Sequence, residues 1–133
     1  MEICIEDLEV MNSKEIPDLV IYNHRGEIKD TLTSLRGIPL PDILASFEIP
    51  ADKPRELNEH YIILSASDNY KVVYSWNEVF NHSAGEKIYV ITSEGGKKLN
   101  ELPYRIMCVS TSDKITGSRY VKGLSPIIIE KAD

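Results

Sequence analysis

The chain has 133 residues, of which 42% are hydrophobic and 27% are charged, and its net charge is −6. This length and composition predict one globular domain over residues 1–133 and exclude an intrinsically disordered chain. The negative net charge argues against nucleic acid as a partner, because phosphate neutralisation needs a basic surface.

Two further features bear on the cellular compartment. No apolar run approaches the roughly 20 residues that cross a bilayer, and the start, "MEICIEDLEV", lacks the basic region of a secretion signal. We therefore expect a cytoplasmic protein with no membrane partner.

Cys4 and Cys108 lie far apart in apolar contexts, which predicts two buried free thiols rather than a disulfide or metal ligands.

Three segments of the N-terminal half indicate secondary structure. "ICIEDLEV" alternates apolar and polar residues at its start, which predicts a half-buried strand. "DLVIYNHRGEIKDTL" predicts two strands joined by a tight turn at His24-Arg25-Gly26, because glycine supplies the positive φ that such turns often need. In "LRGIPLPDILASFEIP", Pro41 suits a first helical turn, "DILASF" predicts a short amphipathic helix, and Pro50 ends it.

The C-terminal half predicts mostly strands. "HYIILSASDNYKVVYSW" indicates two strands joined by Ser67-Asp68-Asn69, whose side chains stabilise turns. Ser75 and Glu78 have the spacing of a capping box, which predicts that the helix "WNEVF" begins there. "KIYVITSEGGKKL" predicts a strand and a hairpin turn at Gly95-Gly96. "YRIMCVS" and "SPIIIEK" predict the last two strands.

The predicted elements amount to about seven to nine short strands and two or three short helices. The strands follow one another too closely for regular βαβ crossovers. The sequence therefore predicts an α+β domain of mixed, mainly β structure.

A basic segment is the remaining candidate for a functional site. The common catalytic motifs are missing, and His24, His60 and His82 are isolated from one another in the sequence. Residues 97–133 carry seven Lys/Arg against four Asp/Glu, whereas residues 1–96 carry eight against 17. The positive charge is therefore concentrated around "SDKITGSRYVKG", residues 112–123.

Arg119 and Lys122 flank Tyr120-Val121 in this segment, and Arg105 lies on the preceding predicted strand. Because residues three apart in an extended chain point to opposite faces, the two flanking cations share a pocket only if the backbone curls. The two glycines of the segment permit such a curl. A curled, cationic loop suits phosphate or carboxylate oxygens. The residue chemistry alone favours the alternative, in which these cations are solvated at a sheet edge.

Four short motifs, "GIPLPDIL", "SDNY", "PYR" and "GSRYVKG", follow one another along the chain. Their order and spacing resemble the oxidoreductase molybdopterin-binding domain of the sulfite oxidase family, over about residues 18–131. The resemblance implies a mixed α+β fold whose loops hold molybdopterin, a pterin with a terminal phosphate.

The resemblance also assigns residues by position. It implies that the cofactor-binding residues are Asp68, Arg105, Arg119, Tyr120, Val121 and Lys122. Two positions depart from the family pattern. The region "IYNHRGEIKDTLTSL" has no cysteine to bind molybdenum, and Asn100 stands where the family has a histidine.

We therefore expect a molybdopterin-binding, oxidoreductase-like domain without independent catalysis or a metal held by protein ligands, with a partner subunit supplying what is missing. Two alternatives are a non-catalytic module for another phosphate- or carboxylate-bearing ligand and a protein-interaction domain. The binding hypotheses depend on Arg105 and Lys122 facing a common hollow.

Overall fold

A computed structural model of the chain describes residues 4–45, 49, 51–103 and 105–133. These residues contain three short α-helices, α1 (Ile5–Glu9), α2 (Leu40–Leu44) and α3 (Trp76–Phe80). None of the helices in these ranges is long and apolar enough to span a membrane. The strands are β1 (Lys14–Ile16), β2 (Leu19–Tyr22), β3 (Ile28–Leu32), β4 (Leu35–Pro39), β5 (His60–Ala66), β6 (Lys71–Ser75), β7 (Ile88–Glu94), β8 (Lys97–Lys98), β9 (Met107–Ser110), β10 (Val121–Lys122) and β11 (Leu124–Lys131).

The strands form three antiparallel sheets. The largest has the order β1-β4-β7-β9-β10, with β8 also paired to β7. A second sheet has the order β11-β5-β6, and β2 pairs with β3 as a separate hairpin. The fold class predicted from the sequence is confirmed at this level, because the protein is mainly β with a few short helices.

The core draws on every sheet. Fully buried side chains come from β4 (Ile38), β5 (Ile62), β7 (Val90) and β9 (Cys108). The β2–β3 hairpin contributes Leu19, Ile21 and Leu32 to the same buried cluster. The hairpin is therefore anchored by its apolar face, while its turn remains exposed at the surface.

The turns and the capped helix follow the sequence prediction. Gly26, Gly95 and Gly96 have positive φ at the two predicted hairpin turns. At the start of α3, the Ser75 hydroxyl accepts a hydrogen bond from the Glu78 backbone N–H at 3.0 Å. The Glu78 carboxylate accepts one from the Ser75 N–H at 3.1 Å, which completes the capping box.

The predicted N-terminal strand is wrong, because residues 5–9 form helix α1. Ile5 and Leu8 lie three apart and both pack against the core, so the helical spacing outweighs the short alternation before it. The Cys4 carbonyl accepts the Asp7 N–H at 3.1 Å and begins the helix. Acidic side chains in the first turn also favour a helix N-terminus.

The next helix is only partly as predicted. Pro41 lies in the first turn of α2, as expected, but α2 ends at Leu44. The predicted continuation to Phe47 and the stop at Pro50 lie outside the described residues. The preceding strand β4 was not predicted, because it is central between β1 and β7 and buries Leu35, Ile38 and Pro39 without an apolar-polar alternation.

The two cysteines differ in environment, and both are free. The prediction of a buried thiol is confirmed for Cys108 and wrong for Cys4, which is exposed at the N-terminal end of α1. Burial raises the pKa of the Cys108 thiol to about 12. Only the Cys4 thiol is therefore open to reagents in the folded protein.

We expect a thiol reagent such as DTNB to label one cysteine in the native protein and two in denaturant. Labelling of Cys108 should remain slow at pH 9, because a pKa near 12 leaves little thiolate in the folded state. A Cys4→Ser variant should lose the fast phase completely. Rapid labelling of two thiols in the native protein would contradict the buried position of Cys108.

Candidate functional site

The loop at residues 111–120, between β9 and β10, is hydrogen-bonded to the β2–β3 hairpin. The buried Thr116 hydroxyl donates to the Val20 carbonyl at 2.7 Å and accepts the Tyr22 N–H at 2.8 Å. The Gly117 N–H donates to the Tyr22 carbonyl at 2.8 Å. These three bonds hold the loop beside an edge of the hairpin.

The two glycines of the loop segment have different roles. A Cβ atom at Gly117 would lie 2.6 Å from the Tyr22 carbonyl oxygen, so any side chain there would separate the loop from the hairpin. Gly123 has a φ of +70°, a left-handed conformation that side chains rarely adopt. The left-handed residue Gly123 follows Lys122, so the curl predicted between Arg119 and Lys122 is not found: Val121 and Lys122 form strand β10. Gly117 instead permits a close approach of two backbones.

A third segment, the turn between β5 and β6, meets the same loop. The Asp68 carboxylate accepts the Tyr70 N–H at 3.0 Å, and Asn69 has a φ of 72°, so the turn is held by its own side chains. The Tyr70 hydroxyl donates to the Ser118 carbonyl. The hairpin, this turn and the 111–120 loop therefore enclose a common groove.

The larger part of the groove, which we call the Lys122 hollow, has a volume of about 510 Å³. Its polar and aromatic lining consists of Lys29, Asp30, Asp68, Tyr70, Tyr120 and Lys122. The Lys122 ammonium lies 5.3 Å from the centre of the Tyr120 ring. This hollow thus combines two ammonium groups, two carboxylates and two aromatic rings.

The smaller part, which we call the Arg25 hollow, has a volume of about 420 Å³ and lies at the hairpin turn. Its lining includes His24, Arg25, Lys29, Tyr70, Gly117 and Ser118. Because Lys29, Tyr70 and Gly117 line both hollows, the two hollows are neighbouring parts of one groove.

Three of the predicted site residues meet in this groove, namely Asp68, Tyr120 and Lys122. Tyr120 is 8% exposed, and its hydroxyl donates to the Met107 sulfur at 3.0 Å. Val121 is fully buried in strand β10, opposite Cys108 of β9. Its side chain therefore belongs to the core and not to the groove.

Arg119 lines neither hollow, because its guanidinium is held by two carboxylates. It donates to both oxygens of Asp113, at 2.7 and 2.8 Å, and to Glu78 at 3.0 Å. Its Cζ atom also lies 4.2 Å from the centre of the Tyr74 ring. The hydrogen bonds to Asp113 raise the pKa of Arg119 further above its ordinary value. This side chain therefore connects the loop to α3 and β6.

Arg105 lines a different hollow from Lys122. Its hollow has a volume of about 360 Å³ and includes Cys4, Glu6 and Ser125. Arg105 has a left-handed backbone with a φ of 56°, so its side chain does not continue the alternation of strand β9. Arg105 and Lys122 therefore line different hollows, and the expectation that they share one is wrong.

The sequence analysis missed Lys29, Arg25 and Tyr70 as groove residues. The hairpin turn that carries Arg25 was predicted. Its contact with the 111–120 loop was not, because the two segments are 94 residues apart at Tyr22 and Thr116 and no sequence motif links them. The contact is made through backbone atoms at Tyr22 and Gly117, and backbone contacts leave little trace in a sequence.

The described lining of the groove offers no cysteine of the kind that binds molybdenum in the sulfite oxidase family. Among the residues that the structure describes, none that lines either hollow carries sulfur; Cys108 is in the core and Cys4 lies at the Arg105 hollow. The described residues also contain no cluster of three or more His, Cys, Asp or Glu that could hold a metal ion. Comparison of the chain with protein-family models, curated proteins and solved structures found no match.

We expect Arg119→Met to lower the free energy of unfolding by about 2 kcal/mol, because Asp113 and Glu78 would lose their partly buried cationic partner. Urea unfolding measures the change. The matched control is Lys131→Met, which breaks an exposed ion pair with Glu59 and should cost less than about 0.5 kcal/mol. Equal losses in the two variants would contradict a structural role for Arg119.

Proposed function

We propose that the groove binds a small ligand that carries an anionic group and a flat ring, and that the chain acts as a binding module without catalysis of its own. The observation that supports this proposal is the Lys122 hollow, where Lys29 and Lys122 lie with Tyr70 and Tyr120. Ammonium groups attract phosphate or carboxylate, and aromatic rings stack on other rings.

The size and charge of the hollow support a small molecule rather than a simple ion. A volume of about 510 Å³ is within the range of small-molecule sites. Asp30 and Asp68 each accept a backbone N–H through one oxygen, which fixes the position of their carboxylates. They can accept hydrogen bonds from donor groups of a ligand, and a simple anion has no such donors to offer.

Molybdopterin is the specific ligand that the resemblance to the sulfite oxidase family favours, and a reduced version of that family's domain is the corresponding fold. Asp68, Tyr120 and Lys122 in one hollow support a pterin. The positions of Arg105 and Arg119 outside the groove do not support a pterin. The described lining residues also carry no sulfur, which does not fit a molybdenum ion held by this chain. The proposed ligand is thus a pterin-like or other phosphate- or carboxylate-bearing compound, and we derive no redox step.

The free cysteines support a reducing compartment as the place where this module works. Neither thiol is in a disulfide, although Cys4 is exposed. Cytoplasmic proteins keep such thiols reduced, whereas secreted proteins tend to pair them. A cytoplasmic location is therefore part of the proposal.

We expect 4-nitrophenyl phosphate and pterin-6-carboxylate to raise the melting temperature in a concentration-dependent way. A ligand at a hundred times its Kd stabilises the folded state by about 2.7 kcal/mol. The double variant Lys29→Met, Lys122→Met should lose this stabilisation, because both cations of the Lys122 hollow are removed. Differential scanning fluorimetry measures the shift.

The control for this experiment is Arg105→Met, which removes a cation from the separate hollow near Cys4. It should leave the stabilisation by either compound unchanged. If the double variant responds to the ligands as the unaltered chain does, or if neither compound stabilises the protein, the proposed binding function is refuted.

A protein-interaction function is the second candidate, and an apolar row on the three-stranded sheet favours it. Ile128, Ile63 and Val73 are cross-strand neighbours on β11, β5 and β6. Ile128 is 39% exposed and Val73 is 52% exposed. A row of neighbouring exposed apolar side chains is more typical of a contact surface than isolated ones are. A partner subunit could cover it.

If a partner subunit covers this row, Val73→Lys should release it from the complex isolated from the host, because a charge would be placed in an apolar contact. Sedimentation of the complex before and after the change measures the loss of mass. Val10→Lys is the control, since Val10 is more exposed and lies outside this row. A sedimentation coefficient that is the same for Val73→Lys and the unaltered chain would exclude this surface.

A further inference from the structure

We infer that the Arg25 hollow is a phosphate subsite, and that the groove takes a phosphorylated heterocycle of the mononucleotide type. The ring would lie in the Lys122 hollow and the phosphate in the Arg25 hollow. This inference rests on the proposed function, and it adds a position for the anionic group and a chemical class for the ligand.

The two hollows differ in their lining charges, because one is cationic and the other has both signs. The Arg25 hollow is lined by Arg25, Lys29 and His24, and its lining contains no carboxylate from the described part of the chain. The Lys122 hollow contains Asp30 and Asp68 as well as its lysines. A dianionic phosphate is therefore favoured at the hairpin turn, where a guanidinium and an ammonium can donate to its oxygens without a competing acid.

The backbone that carries Arg25 is already fixed. The Asn23 side-chain oxygen accepts the Arg25 N–H at 2.9 Å and the Glu27 N–H at 3.0 Å. The Asn23 N–H donates to the Glu27 carbonyl at 3.0 Å, and Gly26 has the positive φ that closes the turn. Since the turn is ordered before binding, a ligand needs to order only the long side chains.

The acid of the turn, Glu27, is hydrogen-bonded to the side chain of Asn23, which itself lines the Arg25 hollow. Glu27 accepts a hydrogen bond from the Asn23 amide group at 3.3 Å, and it is not part of the lining of the Arg25 hollow. The positive charge of Arg25 and Lys29 is not paired with a carboxylate within 4.0 Å among the described residues. Both cations can therefore turn towards a bound phosphate.

One ligand can extend from one hollow into the other because the two hollows share part of their lining. Lys29, Tyr70 and Gly117 line both. Gly117 has no side chain, and the Tyr70 ring is held in place by the bond from its hydroxyl to Ser118. A ring bound beside Tyr70 would place an attached phosphate towards Arg25 and Lys29.

The polar groups of the Lys122 hollow indicate which hydrogen-bonding groups the edge of the ligand's ring should carry. Carboxylates accept from N–H groups, and an ammonium donates to a carbonyl oxygen. Guanine presents two neighbouring N–H donor groups and a carbonyl oxygen on one edge, which matches Asp68 or Asp30 together with Lys122. Guanosine 5′-monophosphate is thus the probe that tests both parts of the groove.

The test is isothermal titration calorimetry of the whole chain with guanosine 5′-monophosphate, guanosine and inorganic phosphate. We expect the nucleotide to bind at least about tenfold more tightly than guanosine or phosphate alone. Arg25→Met should weaken nucleotide binding several-fold, towards the affinity for guanosine, because only Lys29 then remains as a strong cation of the subsite, and it should leave guanosine binding unchanged. Lys122→Met should weaken the binding of both compounds, because both place their ring in the Lys122 hollow.

Arg55→Met is the matched control, because Arg55 is exposed and lines neither hollow, and it should change no affinity. Melting temperatures of the variants check that each one is folded. Equal affinities for nucleotide and guanosine, or nucleotide binding that is indifferent to Arg25→Met, would overturn the phosphate subsite. The proposed function would then still stand if the response to 4-nitrophenyl phosphate or pterin-6-carboxylate depends on Lys29 and Lys122, and it would fail with the subsite if no compound binds.

Discussion

The groove depends on three hydrogen bonds between the 111–120 loop and the β2–β3 hairpin: one from the Gly117 N–H to the Tyr22 carbonyl and two made by the Thr116 hydroxyl beside it. The β2–β3 hairpin belongs to neither of the larger sheets, and an isolated two-stranded hairpin is only marginally stable. Its buried side chains anchor one face, and the loop at residues 111–120 anchors one edge. The backbone that carries Arg25 and Lys29 is positioned beside Tyr70 because both anchors are present.

The local excess of basic residues near the C-terminus serves the fold as well as the groove. Arg119 is bound by Asp113 and Glu78, and the same Glu78 caps helix α3 through its other oxygen. Lys131 pairs with Glu59. The number of basic residues in a sequence segment therefore overestimates the number of cations that a ligand can contact there. Two of the cations that line the groove, Lys29 and Arg25, come from the acidic part of the chain instead.

Elements with local signals could be predicted, and contacts between distant segments could not. The turn at Gly26 and the capping box at Ser75 follow from residue types a few positions apart, so both were recovered from the sequence. Helix α1 was missed because a short alternation and a helical spacing coincide in the same residues. Arg105 itself has a left-handed backbone before β9, and the residue types around it do not predict that conformation. Its separation from Lys122 therefore could not be predicted.

The proline of strand β11 has a consequence for how the protein behaves at high concentration. Strand β11 is an edge of its sheet, and Pro126 lies where the pairing with β5 shifts register between Leu124 and Ile127. Proline has no N–H to offer, and a register shift bends the strand, so another chain cannot extend the ladder across this point. The apolar row beside it can therefore remain exposed with less risk that the β11 edges of two molecules pair and begin a fibril.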